Sequence, residues 1–410
     1  MAEFLKLVTP DEALQKLKPY LQTLVLKETV ATADALARVT AADIMSPGNL
    51  PSFHRSTMDG YAVIAADTYG ATEGLPAYLK LTGEMPMGRD SGITVKSGEA
   101  VKVYTGGMLP GGADAVVMVE NTQQPNDTTI EVFRPVAPGE NVLRVGDDIK
   151  KGAVVLPAGS VIRAQDIGGL MALGLTKIEV YSRPRVAIIS AGDEVVAPEK
   201  TPLPGQIRDI NTYTISNLVK QSGGIPVPCG IMPDEFEKIS RTAQHALIEA
   251  EVLVISSGSS ISTRDLTVKV IASLGEPGVL VHGISLRPGK PTIVAAAGNK
   301  PVFGLPGNPV SAMVVFNLLA RPAIYRVGGC TNPPPIPTVN AALTHNIAST
   351  TGREDYVPVK LVKENGHYQA TPIFGESNLI TTMMRADGVA KIPLDKHGLN
   401  AGETVDVMLF

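Results

Sequence analysis

Tryptophan is absent from this chain, aromatic residues supply only 4% of it, and cysteine occurs twice among 410 residues. Cys229 and Cys330 match no metal-ligand or dithiol spacing, which excludes a zinc ribbon or a disulfide-framed scaffold and predicts two reduced thiols in a cytoplasmic protein. Lys and Arg number 36 against 40 Asp and Glu, for a net charge of −4 with both signs dispersed. Without a basic stripe there is no electrostatic footprint for nucleic acid, so an anionic ligand has to be held by a local pocket. No stretch approaches the roughly 20 apolar residues of a membrane span, and the first residues carry no signal-peptide apolar core, so neither a membrane nor export is expected.

Glycine and proline, at 40 and 32 residues, are plentiful and without period, which means frequent turns and excludes collagen-like order. A chain of 410 residues exceeds the roughly 100–200 of one domain. Its changes of texture predict a multidomain α/β plus β protein. A discontinuous helical base is expected at 1–50 and 153–182, a β-rich insertion at 51–152, a doubly wound α/β domain at 183–330 and a β-barrel at 338–410. Thr9, Pro10 and Glu12 write a capped helix start. A second helical pattern runs over 32–39 with Leu36 and Val39 on one face, and a third places Ile167, Leu170 and Met171 together before Gly174. Short β runs at 78–80, 93–95, 101–103, 115–119 and 130–132 fill the insertion, and Asp59-Gly60, taken alone, reads as a hairpin tip. After the proline-rich linker at 330–337, the period-2 runs at 356–361, 368–373 and 405–409 are too short a segment to cover their edges unless they close into a small barrel or sandwich.

Between 185 and 327, apolar strands alternate with amphipathic helices, which predicts a parallel sheet covered on both faces. The helix over 211–221 has Ile215, Leu218 and Val219 inward. The next, from 234, begins with Asp234 and Glu237 in a capping box. Ligands of such sheets sit beyond the strands' carboxyl ends. Three of these ends carry small-residue loops: SAGDE at 190–194, SSGSSIST at 256–263 and GLPGN at 304–308. None ends in Gly-Lys-Ser/Thr and none is Gly-x-Gly-x-x-Gly, which disfavours P-loop chemistry and a dinucleotide-dependent dehydrogenase. The stretch 287–313 adds Arg287 and Lys290 in a proline-glycine loop, then strand, glycine loop and helix start, a layout in which backbone N–H groups and the helix dipole hold an anion. Carboxylates beside it, Asp193, Glu194 and Asp265, would repel a phosphate unless a cation such as Mg²⁺ intervenes.

Read in order, these motifs resemble the MoeA family of molybdopterin molybdenumtransferases, which includes the E domain of gephyrin. The resemblance rests on STMDGYA at 56–62, YTG at 104–106, RVGDDI at 144–149, SAGDE at 190–194, RPGKP at 287–291, GLPGNPVS at 304–311, GREDY at 352–356 and the segment 377–388. It implies a homodimer with the active site between subunits, an α/β domain of adenylyltransferase type, and Mg²⁺. The implied reaction hydrolyses adenylylated molybdopterin, with molybdate as second substrate, and releases AMP and Mo-molybdopterin. An adenylyltransferase and molybdoenzyme acceptors are implied partners. Asp59, Asp148, Glu194, Asp234 and Asp265 match acidic functional positions, with Asp59 and Asp265 as metal candidates. Thr105, Ser257, Ser260, Arg287, Lys290, Pro306, Asn308, Pro309, Ser311, Arg353 and Ser377 match substrate-binding positions. Two departures stand out: Ser259 replaces a glycine, and Arg287 a lysine, of many members. A non-catalytic gephyrin-like scaffold and a molybdopterin adenylyltransferase are the alternatives to this reading.

Overall fold

The structure is a computed structural model that describes residues 7–258 and 261–410, with side chains for all of these except 261–264. The chain divides into two compact units. One holds 1–42, 158–164 and 177–410, the other 43–157 and 165–176.

The larger unit is built on a six-stranded sheet whose apolar strands face two cores. Its elements are α1 (Pro10–Leu17), β1 (Arg185–Ala191), α2 (Asn211–Gln221), β2 (Ile225–Met232), α3 (Phe236–Glu249), β3 (Val252–Ser257), α4 (Ile261–Ala272), β4 (Pro277–His282), β5 (Ile293–Ala297), β6 (Lys300–Pro306) and a long helix α5 (Pro309–Val327). Along β1, Val186 and Ile188 point into a core with α1, α2 and α5, whereas Ala187 and Ile189 point into a second core with α3 and α4. The period of two sends alternate residues to opposite faces, so a strand covered on both sides must be apolar throughout. The strand order is β2-β1-β3-β6-β5-β4. β2, β1, β3 and β6 run parallel, but β6, β5 and β4 are antiparallel, so the expected parallel sheet is in fact mixed. The Gly298-Asn299 turn joins β5 to β6 directly, and so short a connection permits only antiparallel pairing. Pro226 and Pro228 lie on β2, at the sheet's edge, where a missing N–H costs no ladder bond.

Three helical readings need correction. The pattern at 32–39 forms a single 3₁₀ turn, Thr32–Asp34, and Val39–Thr40 pairs with Lys177–Tyr181 in a three-stranded antiparallel sheet with Lys27–Ala31. Cross-strand pairing outweighs the weak local helix preference there. The base is therefore mixed α and β rather than helical. At α3, Glu235 is the N-cap and makes no side-chain cap bond, so the Asp234 capping box does not form. By contrast, Thr9 and Glu12 exchange both bonds of their box. Finally, α5 is long and apolar enough to cross a membrane, contrary to the expectation from the sequence, but two-thirds of its apolar window is buried in the α/β core.

Beyond 337, β7 (Thr338–Leu343), β8 (Glu354–Glu364), β9 (His367–Pro372), β10 (Gly388–Ile392) and β11 (Thr404–Leu409) form a closed β-barrel, because β10 pairs with both β11 and β8. Closure removes the exposed edges of a small sheet. A two-residue strand from the α/β region, Leu286–Arg287, joins the barrel in parallel to β8, with Arg287 opposite Asp355.

In the smaller unit a six-stranded sheet carries a core of Tyr61, Val63, Leu79, Val117, Ile130 and Val132. The run at 93–95 makes only an isolated bridge, Thr94 to Gly111. Asp59-Gly60 is not a hairpin tip: Arg55–Ser56 pairs with Val142–Leu143, and Gly60 opens another strand, Gly60–Val63. A Cβ at Gly60 would lie 1.9 Å from the Val117 carbonyl oxygen, so no other residue fits there.

Candidate functional site

The carboxyl ends of β1, β3 and β6 meet around a small polar pocket of about 100 Å³, lined by Glu194, Asp209, Asn211, Ser256, Ser257 and Asn308 among others. Asn211, at the start of α2, is buried, and its Nδ2 donates to Ser256 Oγ at 2.8 Å and to the Gly307 carbonyl at 2.7 Å. One amide thus ties two of the three loops to a helix start. Thr267 Oγ1 donates to Ser257 Oγ at 2.9 Å, and both residues are buried. The Ser256 and Ser257 hydroxyls are therefore engaged within the protein. Ser260, and Ser259 beside it, lie outside the described residues.

Next to this pocket, and sharing Asn308 with it, is a cleft of about 510 Å³ between the α/β region and the barrel. That volume is ample for a small-molecule ligand. Arg287, Lys290, Pro306, Asn308, Ser311, Arg353 and Ser377, all singled out from the sequence, line it together. Arg287 and Lys290 are exposed, and among the described residues neither side chain has an ion-pair partner. The loop between them is tight. Gly289 has φ +123°, and a Cβ there would lie 2.5 Å from Val315 Cγ2, while Thr292 Oγ1 donates to the Gly289 carbonyl at 2.6 Å. Arg353 is held differently, by Asp355, with Nε to Oδ1 at 2.9 Å and Nη2 to Oδ2 at 3.4 Å. On β8, on either side of Asp355, Tyr356 donates to Glu354, which also pairs with Lys391. Burial, then the hydrogen bond and charge of Glu354, push the Tyr356 phenol well above its ordinary range.

The start of α5 is less open than its layout suggests. Pro309 occupies the first helical turn without an N–H, and the Val310 N–H donates to the Ser377 carbonyl at 3.2 Å. Asn308 Nδ2 donates to Ser377 Oγ at 2.7 Å. Ser377 therefore joins helix start to barrel, and the positive charge of the cleft comes from side chains rather than from this helix end.

The acidic residues are divided between the two units. Asp265 is exposed on α4, and Asp193 Oδ1 accepts the Asp234 N–H at 3.1 Å. Asp59 and Asp148 belong to the smaller unit. Asp59 Oδ1 accepts from Thr105 N–H at 2.7 Å and from Thr105 Oγ1 at 2.8 Å, which hold its carboxyl below the usual range. Asp148 is exposed in the turn where Asp147 accepts the Arg144 N–H. Among the described residues no three His, Cys, Asp or Glu side chains are grouped to hold a metal. A divalent cation would thus depend on one or two carboxylates, with phosphate oxygens and water completing its shell, a set that suits Mg²⁺. Sequence reasoning missed Asn211 and Asp355. For Asp355 the signal was present, since Arg353 and Asp355 are two apart at the start of a period-2 run and share a face.

Three family models match successive parts of the chain: "MoeA N-terminal region (domain I and II)" at 8–174, "Probable molybdopterin binding domain" at 187–326, and "MoeA C-terminal region (domain IV)" at 340–410. The molybdopterin molybdenumtransferase of Haemophilus influenzae is 32% identical over 98% of this chain and 99% of its own length. That of Nostoc sp. is 32% identical over 91% and 86%. Among solved structures, the molybdopterin biosynthesis protein MoeA of Pyrococcus horikoshii OT3 matches with TM-score 0.82 and 33% identity, covering 99% of this chain and all of that one. With three family models in sequence and relatives matched over nearly their full length, the chain belongs to the MoeA family.

Proposed function

We propose that this protein is a molybdopterin molybdenumtransferase of molybdenum cofactor biosynthesis, taking adenylylated molybdopterin and molybdate to Mo-molybdopterin and AMP. The observation that supports this reading most is the cleft in which two cations without ion-pair partners among the described residues, Arg287 and Lys290, stand with the anchored Arg353. Molybdate is a tetrahedral dianion, and charge-assisted donors from several directions suit it. In this reading Arg287, Lys290 and Arg353 bind and orient molybdate, while Ser311 lines the wall beside it. The sheet-edge pocket, lined by Glu194 and Ser257, takes the pterin phosphate side, Pro306 belongs to the cleft wall, and Asn308 is shared by the two. Mg²⁺, when bound, would neutralise charge at the phosphates. Asp265 and Asp59 are its proposed holders, with Asp148 and Asp234 as supporting carboxylates. The reading assigns Asp59, Asp148 and Thr105 to the site of a second copy in a homodimer. It places the protein in the cytoplasm, where its two free thiols stay reduced.

Purified protein incubated with adenylylated molybdopterin, molybdate and Mg²⁺ tests the proposal. AMP release together with metal-loaded pterin is expected. Consumption of ATP by the protein with molybdopterin would instead make it an adenylyltransferase, and absence of turnover would favour a scaffold.

A further inference from the structure

Asp355 lines the cleft and is 3% exposed, while the Arg353 side chain that it holds is 34% exposed. A carboxylate in that position is at odds with a pocket for an anion, since its charge opposes the ligand's. Its geometry gives it another use. The carboxylate takes Nε and Nη2 of Arg353, the side-on fork that fixes a guanidinium plane, and this leaves the remaining N–H groups to point elsewhere. Asp355 also lies opposite Arg287 in the parallel pairing that ties Leu286–Arg287 to β8. One buried position thus orients one cation of the cleft and adjoins the backbone of another.

We infer that Asp355 is a positioning residue which sets the Arg353 guanidinium for an oxyanion in the cleft, so that this carboxylate strengthens anion binding despite its charge. The inference rests on the reading of the cleft as an oxyanion site. A long, flexible arginine that is one-third exposed would otherwise lose rotamer freedom on binding, and holding it beforehand removes that cost. Partners that orient ligand-contacting groups in metal sites contribute roughly ten- to a hundredfold in affinity, and an effect near the lower end is expected here.

The sign of the effect distinguishes this role from simple electrostatics. Asp355→Asn removes a negative charge, so electrostatics alone predicts tighter molybdate binding, whereas positioning predicts binding weaker by about tenfold. The experiment is calorimetric titration of the full chain with sodium molybdate, with thermal unfolding of each variant measured alongside. Arg353→Lys keeps the charge on a partly exposed residue and cannot form the fork, so it guards against an Asp355 variant that fails to fold. It is expected to lose a similar factor. The pair is coupled: in an Arg353→Ala background, Asp355→Asn should have no further effect on molybdate binding. Binding by Asp355→Asn that is unchanged or tighter, while Arg353→Ala weakens it, overturns the inference and leaves the cleft reading standing. Unchanged binding in Arg353→Ala overturns the cleft reading, and the inference with it.

Discussion

Two polar sites lie side by side in the larger unit, and they are built on opposite plans. At the sheet edge, polar groups are spent on one another: Asn211 on Ser256 and Gly307, Thr267 on Ser257. In the cleft, Arg287 and Lys290 face solvent without ion-pair partners among the described residues, and only Arg353 is tied down. A pocket whose buried hydroxyls already have partners has a fixed shape, and its charge comes from Glu194, Arg208 and Asp209 in its lining. A cleft whose cations lack ion-pair partners among the described residues gains most when an anion arrives. The difference suggests a division of labour, in which the edge holds and presents one substrate while the cleft supplies the charge for the other.

If labour is divided in this way, variants should separate the two steps. Asp265→Asn, on the exposed face of α4, is expected to bind adenylylated substrate normally while slowing AMP release by about a hundredfold or more. Normal AMP formation would remove Asp265 from the reaction. Lys290→Ala should raise the molybdate concentration needed for half-maximal turnover at least tenfold, since a charge-assisted hydrogen bond contributes about 1.5–3 kcal/mol. The same molybdate dependence in variant and wild type would break the comparison from the cleft side. Asn211→Ala tests the edge. It strips partners from the buried Ser256 hydroxyl and the Gly307 carbonyl, so unfolding should become easier by about 1–3 kcal/mol, with molybdate binding little changed. A large loss of molybdate binding without loss of stability would show that the edge is more than a frame.

The smallest effect concerns Asp59 in the smaller unit, whose acidity depends first on the Thr105 N–H and then on its hydroxyl. Thr105→Val removes only the second, so the Asp59 titration followed by NMR should move upward part of the way to the ordinary carboxylate range. The sign for stability follows from linkage. A carboxyl whose folded pKa is depressed contributes stability above its unfolded pKa, about 3.9, and loses it as pH falls through the folded pKa. The variant should therefore be slightly less stable than wild type at neutral pH, and the difference should vanish as pH falls through the folded pKa. A downward shift would mean that the hydroxyl does not stabilise the carboxylate.

The sequence was most legible where local and tertiary preferences agree. The Thr9–Glu12 box, the helix at 211–221 and the closed barrel follow from capping residues, apolar period and the need to cover edges. It was least legible where a distant strand decides. Val39 looks helical until Tyr181 pairs with it, and a parallel sheet looks uniform until the Gly298-Asn299 turn reverses it. At the site, a sequence does not show which hydroxyls of the serine loop already have partners. Asn211 and Thr267, 45 and 10 residues away from the serines they meet, carry that information. The cations were easier to find, since Arg287 and Lys290 flank a loop that Gly289 keeps tight.

The central claim is that the oxyanion sits in the cleft and not at the sheet edge. Crystals soaked in molybdate and measured at the molybdenum absorption edge locate the metal directly. The account predicts an anomalous peak among Arg287, Lys290 and Arg353. A peak beside Glu194 and Ser257, with none in the cleft, would contradict it.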